Sequence, residues 1–487
     1  MSVHHHAILI IGAGFAGLGM AIRLRQAGID DFAVLERADA AGGTWRDNRY
    51  PGCACDVPSH LYSYSFAPNP QWQRAYAPQP EIRAYLEQCV ARYALGPQLR
   101  FGADVVEARW DEAAACWEVA TRDGRRFRAP VLVAGLGGLS NPAIPELPGR
   151  ERFEGPDFHT AQWPDGIGLA GRRVAVIGTG ASAIQLIPQL APRVAQLTVY
   201  QRTPAWVLPK PDRPLRDWER QLFERLPFAQ RLMRSAIYWQ HEGRALAFVV
   251  RPRLMKLVAR EAGRHLARQV PDPALRARLT PDYTIGCKRI LIADDYYPAL
   301  QRPNVELVGE AVRELTPHGV VAADGRERPA DAVVWCTGFK AQEPVRPGLF
   351  VGRGGQDLWA AWQRAPEAYL GCTVAGFPNL FMLVGPNTGL GHNSMIYMIE
   401  SQLAYVMSAL QALRRDGLRS VEVRPEAQQA YNAELQRRLA RTVWASGCRS
   451  WYLDAQGRNT TLWPGFTFEF RRRTRRFDAA AYRLETR

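Results

Sequence analysis

Two glycine-rich strand–turn–helix signals, a β-meander after each, and a helical segment between them predict an α/β fold with two Rossmann-like, dinucleotide-binding domains. The strand–turn–helix signals lie at 7–37 and 172–203, the meanders at 103–137 and 304–339, and the helical segment at 209–285. The last of these is rich in Arg, Leu and Ala at helical spacing and predicts an insertion. We expect the second domain to be nested within the first.

Length and composition indicate an ordinary globular protein of two or three domains. The chain has 487 residues, of which 47% are hydrophobic and 22% charged. No apolar run approaches the ~20 residues that cross a bilayer, and the first residues lead directly into a strand, which leaves no room for a signal peptide. We therefore expect a cytoplasmic protein without stable membrane insertion, and a monomer.

Arginine supplies nearly all of the basic charge, because Lys occurs only at 210, 256, 288 and 340 in a chain with a net charge of +15. The one dense run is RRRTRR at 471–476. We interpret it as a solvated surface rather than a nucleic-acid site, since the other basic residues are scattered. The apolar stripe of 209–285 is expected to be core or cap, with membrane contact as the alternative.

The eight cysteines show neither CxxC pairs nor zinc spacing, so no metal site is expected. Cys53 and Cys55 are too close in sequence for an ordinary disulfide. This argues against a dithiol redox enzyme, and we expect all the cysteines to be reduced.

The first glycine turn has the full context of a dinucleotide site. An apolar strand ends at Gly12, Gly14 and Gly17, a helix follows, and the next strand ends in Glu36. The glycines allow a pyrophosphate to approach the helix N-terminus, where free N–H groups favour an anion. Glu36 is placed to accept hydrogen bonds from a ribose.

The second turn differs at the end of its second strand. Gly178 and Gly180 are followed by Ala183, an accepted substitute for the third glycine. The strand then ends in Gln-Arg-Thr instead of an acid. Arg202, with Thr203 beside it, predicts selection of NADPH, because a guanidinium suits the 2′-phosphate that a carboxylate would repel; a solvated strand-end arginine is the alternative.

Two such units resemble the flavoproteins with two dinucleotide-binding domains, in which the first domain holds FAD and the second NADPH. The resemblance implies five segments: 1–150 and 341–487 as the two parts of the FAD domain, the latter with a C-terminal loop, 151–208 and 286–340 as those of the NADP domain, and 209–285 as the helical insertion.

A connector before the second turn makes the resemblance more specific. Phe153, Gly155, His159 and Trp163, followed by Pro164, match the fingerprint of the type I Baeyer–Villiger monooxygenases, class B flavoprotein monooxygenases related to the flavin-containing monooxygenases. Those relatives usually end the motif in Tyr or Phe. The segment has the composition of a loop, and the resemblance implies an interdomain hinge; we do not expect His159 to act as a catalytic base.

A second signature, GGTWRDNRYPGCACD at 42–56, resembles the loop that closes over the flavin in this family. The resemblance places Thr44, Trp45, Asp56 and Tyr62 near FAD. It implies in addition that Asp56 holds a catalytic arginine in position.

A third signature at 283–308 brings Lys288 and Arg289 to the cofactors in this family. Lys288 is expected to contact the NADP phosphate or ribose, and Arg289 is the expected catalytic residue, in contact with NADP. The family usually has Pro after this pair, whereas this chain has Ile290, so the backbone geometry there is open.

Near the C-terminus the resemblance assigns two more residues. Met395, at the start of a helix after a glycine-rich loop, is expected to line the flavin and substrate pocket. Trp451 matches the tryptophan of a mobile loop that contacts the nicotinamide nucleotide.

The resemblance implies an NADPH- and O2-dependent enzyme that inserts one oxygen atom next to a ketone carbonyl through a C4a-peroxyflavin and releases an ester or lactone. The alternatives are an N- or S-oxygenating flavin monooxygenase, which Trp163–Pro164 and the Lys288–Arg289 pair disfavour, and a non-catalytic flavoprotein sensor. No GxSxG motif supports a hydrolase.

Overall fold

Two parallel five-stranded sheets, each with a glycine turn at the end of its central strand, organise the molecule. They are seen in a computed structural model that describes residues 3–341, 343, 345–448, 450–454 and 456–486. Both central strands are buried along most of their length, as expected for apolar runs covered on both faces.

The strands and helices of the described residues are short to moderate in length. The strands are β1 (Val3–His5), β2 (Ile8–Ile11), β3 (Phe32–Leu35), β4 (Leu99–Arg100), β5 (Val105–Asp111), β6 (Cys116–Thr121), β7 (Arg126–Ala129), β8 (Val131–Ala134), β9 (Asp157–His159), β10 (Arg173–Ile177), β11 (Gln196–Tyr200), β12 (Val207–Leu208), β13 (Leu291–Ile292), β14 (Val305–Val308), β15 (Val312–Thr316), β16 (Gly319–Ala322), β17 (Glu327–Pro329), β18 (Ala332–Trp335), β19 (Phe350–Val351), β20 (Leu380–Met382), β21 (Leu418–Val423) and β22 (Tyr482–Thr486). The α-helices are α1 (Phe15–Gln26), α2 (Thr44–Asp47), α3 (Gln79–Arg92), α4 (Ala181–Leu190), α5 (Asp217–Arg225), α6 (Pro227–Ala245), α7 (Met255–Gln269), α8 (Pro273–Leu279), α9 (Tyr296–Leu300), α10 (Leu358–Ala361), α11 (Met395–Arg415), α12 (Pro425–Leu439) and α13 (Thr467–Arg473).

The first parallel sheet has the order β20-β8-β2-β3-β4. Its edge strand β20 comes from the C-terminal part of the chain and pairs with β8, Leu380 opposite Leu132. The chain therefore leaves this sheet after β8, builds the second sheet, and returns to the first. This is the nesting that the sequence predicts.

The second sheet has the order β14-β11-β10-β18-β9. Its edge strand β9 lies in the connector that we expected to be a loop, and His159 pairs with Trp335 of β18. Three residues are too few for a sequence pattern to mark a strand, and the pairing comes from a partner far along the chain.

The meanders and the insertion flank these sheets. The first meander, β5–β7, forms a mixed sheet with β1 and β19, and the second forms the antiparallel sheet β15–β17. The segment expected to be helical contains α5, α6, α7 and α8. None of the helices in the described ranges is long and apolar enough to span a membrane.

Candidate active site

The first glycine turn is closed by the acid at the end of β3. The backbone N–H of Ala13 donates to Glu36 Oε2 at 2.8 Å, and Glu36 Oε1 lies 3.0 Å from Arg46 Nη1. A Cβ on Gly17 would overlap the carbonyl oxygen of Gly12, and one on Gly43 would lie 3.0 Å from the Gly14 Cα. Only glycine allows this close approach of backbone segments, so the turn fits a pyrophosphate that binds to main-chain N–H groups.

An aromatic pair adjoins this turn. The Trp45 Nε1–H donates to the Tyr62 hydroxyl at 3.1 Å, and the two rings meet edge to face with centroids 5.5 Å apart. Thr44 is the first residue of α2, which directly follows Gly43. An open cleft of ≈ 700 Å³ begins at Arg37 and Ala38, just beyond Glu36, and reaches Phe339 of the second unit.

Arg289 and Asp56 form an ion pair although they lie 233 positions apart. The Arg289 Nε–H donates to Asp56 Oδ2 at 3.1 Å, and its Nη2 contacts the same oxygen. Burial alone would raise the pKa of Asp56, but the guanidinium outweighs it and lowers that pKa below its ordinary value. The side chains are 36% and 29% exposed, so each remains accessible to a substrate.

Two residues beside this pair, Tyr452 and His241, were missed by the sequence analysis. Burial raises the pKa of Tyr452 to about 12, and the positive charge of Arg289 partly opposes that rise. Burial lowers the pKa of His241 to about 4, with a smaller lowering by the charge of Arg244, on the insertion, and a slight rise from the charge of Asp56. The insertion was expected to be core or cap, and no motif marks these positions.

The second glycine turn is more open than the first. A Cβ on Gly178 would lie 2.5 Å from the carbonyl oxygen of Cys336, whereas a Cβ on Gly180 would meet nothing within 4 Å. Ala183 is fully buried in α4. The Thr203 carbonyl accepts a hydrogen bond from the Thr179 hydroxyl at 3.2 Å, which fixes the strand end over the turn.

Two cations converge at this strand end. Arg202 is exposed, and its charge lowers the pKa of Lys288 together with the larger effect of burial. The Lys288 ammonium lies 4.6 Å from the centroid of the Tyr283 ring. Two like charges held together cost free energy unless an anion joins them, so the arrangement suits a phosphate.

The fingerprint residues of the connector pack at β9, the edge strand of the second sheet, and against the segment that follows β18. His159 is fully buried, its Nδ1 accepts from the Ala161 N–H at 3.1 Å, and its ring contacts Phe339 at 5.3 Å. Burial lowers its pKa to about 4. A Cβ on Gly155 would overlap the Asp331 carbonyl oxygen.

The aromatic residues of the same connector are partly buried. Trp163 meets Phe158 edge to face at 5.2 Å, and Phe153 packs against the apolar cluster beneath the second sheet.

Met395 begins α11 and is partly buried, and the Ser394 hydroxyl caps this helix by accepting from the Ile396 N–H at 3.2 Å. Trp451 is 40% exposed, with its ring 4.5 Å from that of Tyr452. Trp451 therefore lies next to Tyr452, the residue whose pKa responds to the charge of Arg289. Ile290 packs against the apolar cluster that includes Phe248 and Trp444, a contact that proline would reduce.

The expectation that every cysteine is reduced is wrong. Cys287 and Cys448 form a disulfide with Cα atoms 6.2 Å apart and a sequence separation of 161. Spacing in the sequence gave no sign of it, because the pairing depends on the C-terminal loop folding back onto the Lys288–Arg289 turn. Cys53 and Cys55 are free and buried.

No group of three or more His, Cys, Asp or Glu side chains is arranged to hold a metal ion within the described part of the chain. The side chains that act electrostatically on the Arg289–Asp56 pair include Tyr452, Lys210 and Cys55. A fold with two dinucleotide turns around one such pair defines an oxidoreductase that uses a flavin and a nicotinamide nucleotide.

Comparisons with known proteins agree with this class. Residues 9–236 match the model of the family described as pyridine nucleotide-disulphide oxidoreductase. A Baeyer–Villiger monooxygenase of Pseudomonas aeruginosa is 54% identical over 100% of this chain and 92% of its own length.

Two solved structures are similar in fold. Cyclohexanone monooxygenase from Rhodococcus sp. Phi1, bound to NADP+, has a TM-score of 0.87 with 29% identity and covers 100% of both chains. OTEMO in complex with FAD and NADP has a TM-score of 0.88 with 26% identity and covers 99% of this chain and 100% of its own. The chain belongs to the Baeyer–Villiger monooxygenases, and the predicted family, fold class and cofactors, FAD and NADPH, are confirmed.

Proposed function

We propose that the protein inserts one atom of O2 next to the carbonyl carbon of a ketone and gives an ester or lactone. The observation that carries this proposal is the Arg289–Asp56 ion pair, which is accessible and lies between the two nucleotide-binding units. FAD, reduced by NADPH, supplies the activated oxygen when both are bound. The residues of the chain bind these molecules, orient them and stabilise charge.

Arg289 is the proposed catalytic residue. Oxygen insertion places negative charge on the former carbonyl oxygen, and a fixed guanidinium stabilises it, an effect that is commonly about 3–4 kcal/mol of barrier. Asp56 holds the guanidinium by its Nε–H and keeps it in one orientation. Tyr452, close to this pair, is a further candidate for contact with the substrate.

The FAD-binding residues are proposed to act in two groups. Gly12, Gly14 and Gly17 offer main-chain N–H groups to the pyrophosphate, and Glu36 accepts hydrogen bonds from the ribose. The second group forms the wall of the flavin site, where it excludes water; its members are Thr44, Trp45, Tyr62 and Met395.

The NADP-binding residues are proposed to be those of the second turn and the segments beside it. Arg202 and Lys288 bind the 2′-phosphate, Thr203 supports them, and Trp451 contacts the nicotinamide end. Gly178, Gly180 and Ala183 form the turn for the pyrophosphate, and Arg289 reaches the bound nucleotide.

The connector residues Phe153, Gly155, His159 and Trp163 are proposed to form the hinge between the two domains. Burial keeps His159 neutral at physiological pH, which suits packing better than proton transfer. We propose domains at 1–150 with 341–487 and at 151–208 with 286–340, separated by the insertion 209–285. This division is supported by the return of β20 to the first sheet.

We also propose a cytoplasmic monomer, in which the Cys287–Cys448 disulfide is the exception among otherwise free cysteines.

The test is rapid-mixing spectroscopy of the FAD-loaded protein, reduced anaerobically by NADPH and then mixed with O2 and a panel of cyclic and aryl ketones. We expect ketone-dependent flavin reoxidation and one ester or lactone per NADPH. Arg289→Ala should lose about 10²- to 10³-fold in ester formation while retaining FAD. Arg289→Lys is the matched control, which keeps the charge but not the fork of N–H groups.

Two outcomes would contradict the proposal. Oxygenation of amines or sulfides alone, with no ester from any ketone, would indicate an N- or S-oxygenase. An Arg289→Ala variant with unchanged ester formation would remove the assigned role of this residue.

A further inference from the structure

The insertion exposes an unusual concentration of apolar side chains. Nine of the 16 large apolar residues that are exposed in the described part of the chain lie between 226 and 257. Phe228, Leu232 and Trp239 on α6 are 68%, 54% and 58% exposed. Their spacing of four and seven places all three on one face of the helix. This face is therefore an apolar stripe open to solvent, apart from Ser235 between Leu232 and Trp239.

The stripe extends onto the C-terminal helix α13. The ring of Trp239 lies 6.1 Å from that of Phe468, which is 44% exposed. Phe468 shares a helix face with Arg471 and Arg472, three and four residues further on. The RRRTRR run thus borders the aromatic end of the stripe.

The exposed charge of the stretch 226–257 is positive. Between 226 and 257 there are six basic residues and a single acid, Glu242. Glu242 is 1% exposed and accepts hydrogen bonds from Asn393 and from the Thr467 hydroxyl. The stretch 226–257 consequently presents no carboxylate to solvent.

We propose that this surface, formed by the exposed face of α6 and by the exposed residues of 468–476, docks the protein on an anionic phospholipid bilayer. Exposed Trp, Phe and Leu enter the interface between headgroups and acyl chains, and neighbouring arginines pair with lipid phosphates. Because none of the helices in the described residues can span a bilayer, the contact is peripheral.

A second copy of the chain fits this surface less well. In a two-fold dimer the same patch meets itself, so both copies bring arginines to the interface and the stretch 226–257 brings no exposed carboxylate to offset their repulsion. An anionic lipid surface removes that repulsion. This inference goes beyond the proposed reaction, because the docking surface consists of residues outside the cofactor and substrate sites.

The buried side of α6 leads to the active site. The ring of Tyr238 stacks on that of Tyr397 at 4.7 Å, two residues after Met395. When the protein is docked on a bilayer, the insertion would therefore lie between the lipid and the active site.

The test is flotation of the FAD-loaded full-length protein with vesicles of phosphatidylcholine alone or mixed with phosphatidylglycerol. We expect binding to the mixed vesicles, weakened by salt. The triple variant Arg472→Gln, Arg475→Gln, Arg476→Gln should bind on the order of 100-fold more weakly, at about fivefold per arginine. Phe228→Ser with Trp239→Ser should lower binding at both low and high salt.

The matched controls change the same charge or polarity elsewhere. Arg122→Gln, Arg313→Gln and Arg415→Gln remove three arginines that are 68%, 61% and 78% exposed, outside the insertion and α13. Phe101→Ser removes an exposed aromatic residue from the first unit. These variants should bind vesicles as the wild type does.

Three results would overturn the proposal. They are the absence of vesicle binding, equal weakening by the control arginines, and a wild-type dimer in light scattering that Phe228→Ser with Trp239→Ser dissociates. FAD content and NADPH oxidation, measured without vesicles, should be unchanged in every variant, so failure of docking is distinguishable from failure of the proposed reaction.

Discussion

The two glycine turns are built alike but differ at one corresponding position. The N–H of Gly12 donates to the Leu35 carbonyl, and that of Gly178 donates to the Tyr200 carbonyl, so Glu36 corresponds to Gln201. Both side chains are buried. In the first turn a carboxylate accepts the Ala13 N–H; in the second, the Gln201 amide donates instead to the Arg278 carbonyl at 2.9 Å.

We propose that this difference adapts one fold to two nucleotides. A carboxylate at the strand end accepts hydrogen bonds from ribose hydroxyls and repels a 2′-phosphate. A neutral amide there, followed by the exposed Arg202, removes the repulsion and adds an attraction. On this proposal, selectivity comes from two adjacent residues, while the glycines are shared.

The largest effect is expected from a substitution at the third position of the first glycine turn. Gly17→Ala should prevent formation of a stable FAD-loaded protein, because the added Cβ overlaps the Gly12 carbonyl oxygen. The corresponding Ala183→Gly change should cost only about 1 kcal/mol of unfolding free energy, as expected for glycine in a helix. Flavin absorbance and thermal unfolding measure both; a stable flavin-loaded Gly17→Ala protein would refute the claim that the turns tolerate different side chains here.

Removing the charge of the first turn should have the next largest effect. Glu36→Gln takes a charged acceptor from the Ala13 N–H and an ion-pair partner from Arg46. We expect a loss of about 1.5–3 kcal/mol of unfolding free energy, together with weaker retention of FAD. Denaturant unfolding and dialysis of the flavin check this. The affinity for NADPH should be unchanged, and a change there would mean that the two turns are coupled.

Removing the charge of the second turn should change nucleotide choice. Arg202→Gln should raise the KM for NADPH by about 10- to 100-fold and leave that for NADH unaltered, since only NADPH carries the 2′-phosphate. Steady-state kinetics with each nucleotide provides the measurement. Arg37→Gln, at the corresponding position of the first turn, is the control; a similar rise for NADPH in that variant would contradict the assignment.

The smallest expected effect concerns pH. Burial and, to a smaller extent, the charge of Arg202 lower the pKa of Lys288 below the usual value for a lysine side chain. Phosphate binding favours the ammonium, so the KM for NADPH should rise as pH increases through that lowered pKa and the ammonium is lost. Removing the neighbouring charge in Arg202→Gln should move this rise to higher pH. A rise at the same pH in both proteins would show that the two cations do not interact.

The sequence predicted what depends on local pattern. The glycine turns, the first meander and the helices of the insertion follow from spacing and composition over short windows. The Arg289–Asp56 pair was predicted instead from a family resemblance, because its two residues are 233 positions apart in the chain.

What the sequence did not predict depends on long-range folding. The strand β9 exists because β18 offers it an edge, and Tyr452 reaches Arg289 because the C-terminal loop folds back. Neither the pairing of an edge nor the return of a loop leaves a periodic signal within a short window.

The disulfide between Cys287 and Cys448 makes part of the molecule a covalent ring. The ring includes β14 and β18 of the second sheet and β20 of the first, so strands of both sheets belong to one closed loop. By loop-closure entropy, a ring of this length stabilises the folded state by about 5 kcal/mol. A single backbone cut between 288 and 447 would leave the two fragments joined by the disulfide. The cut protein would therefore keep the apparent mass of the intact chain in a denaturing gel without reductant, and would separate into two fragments when reductant is added.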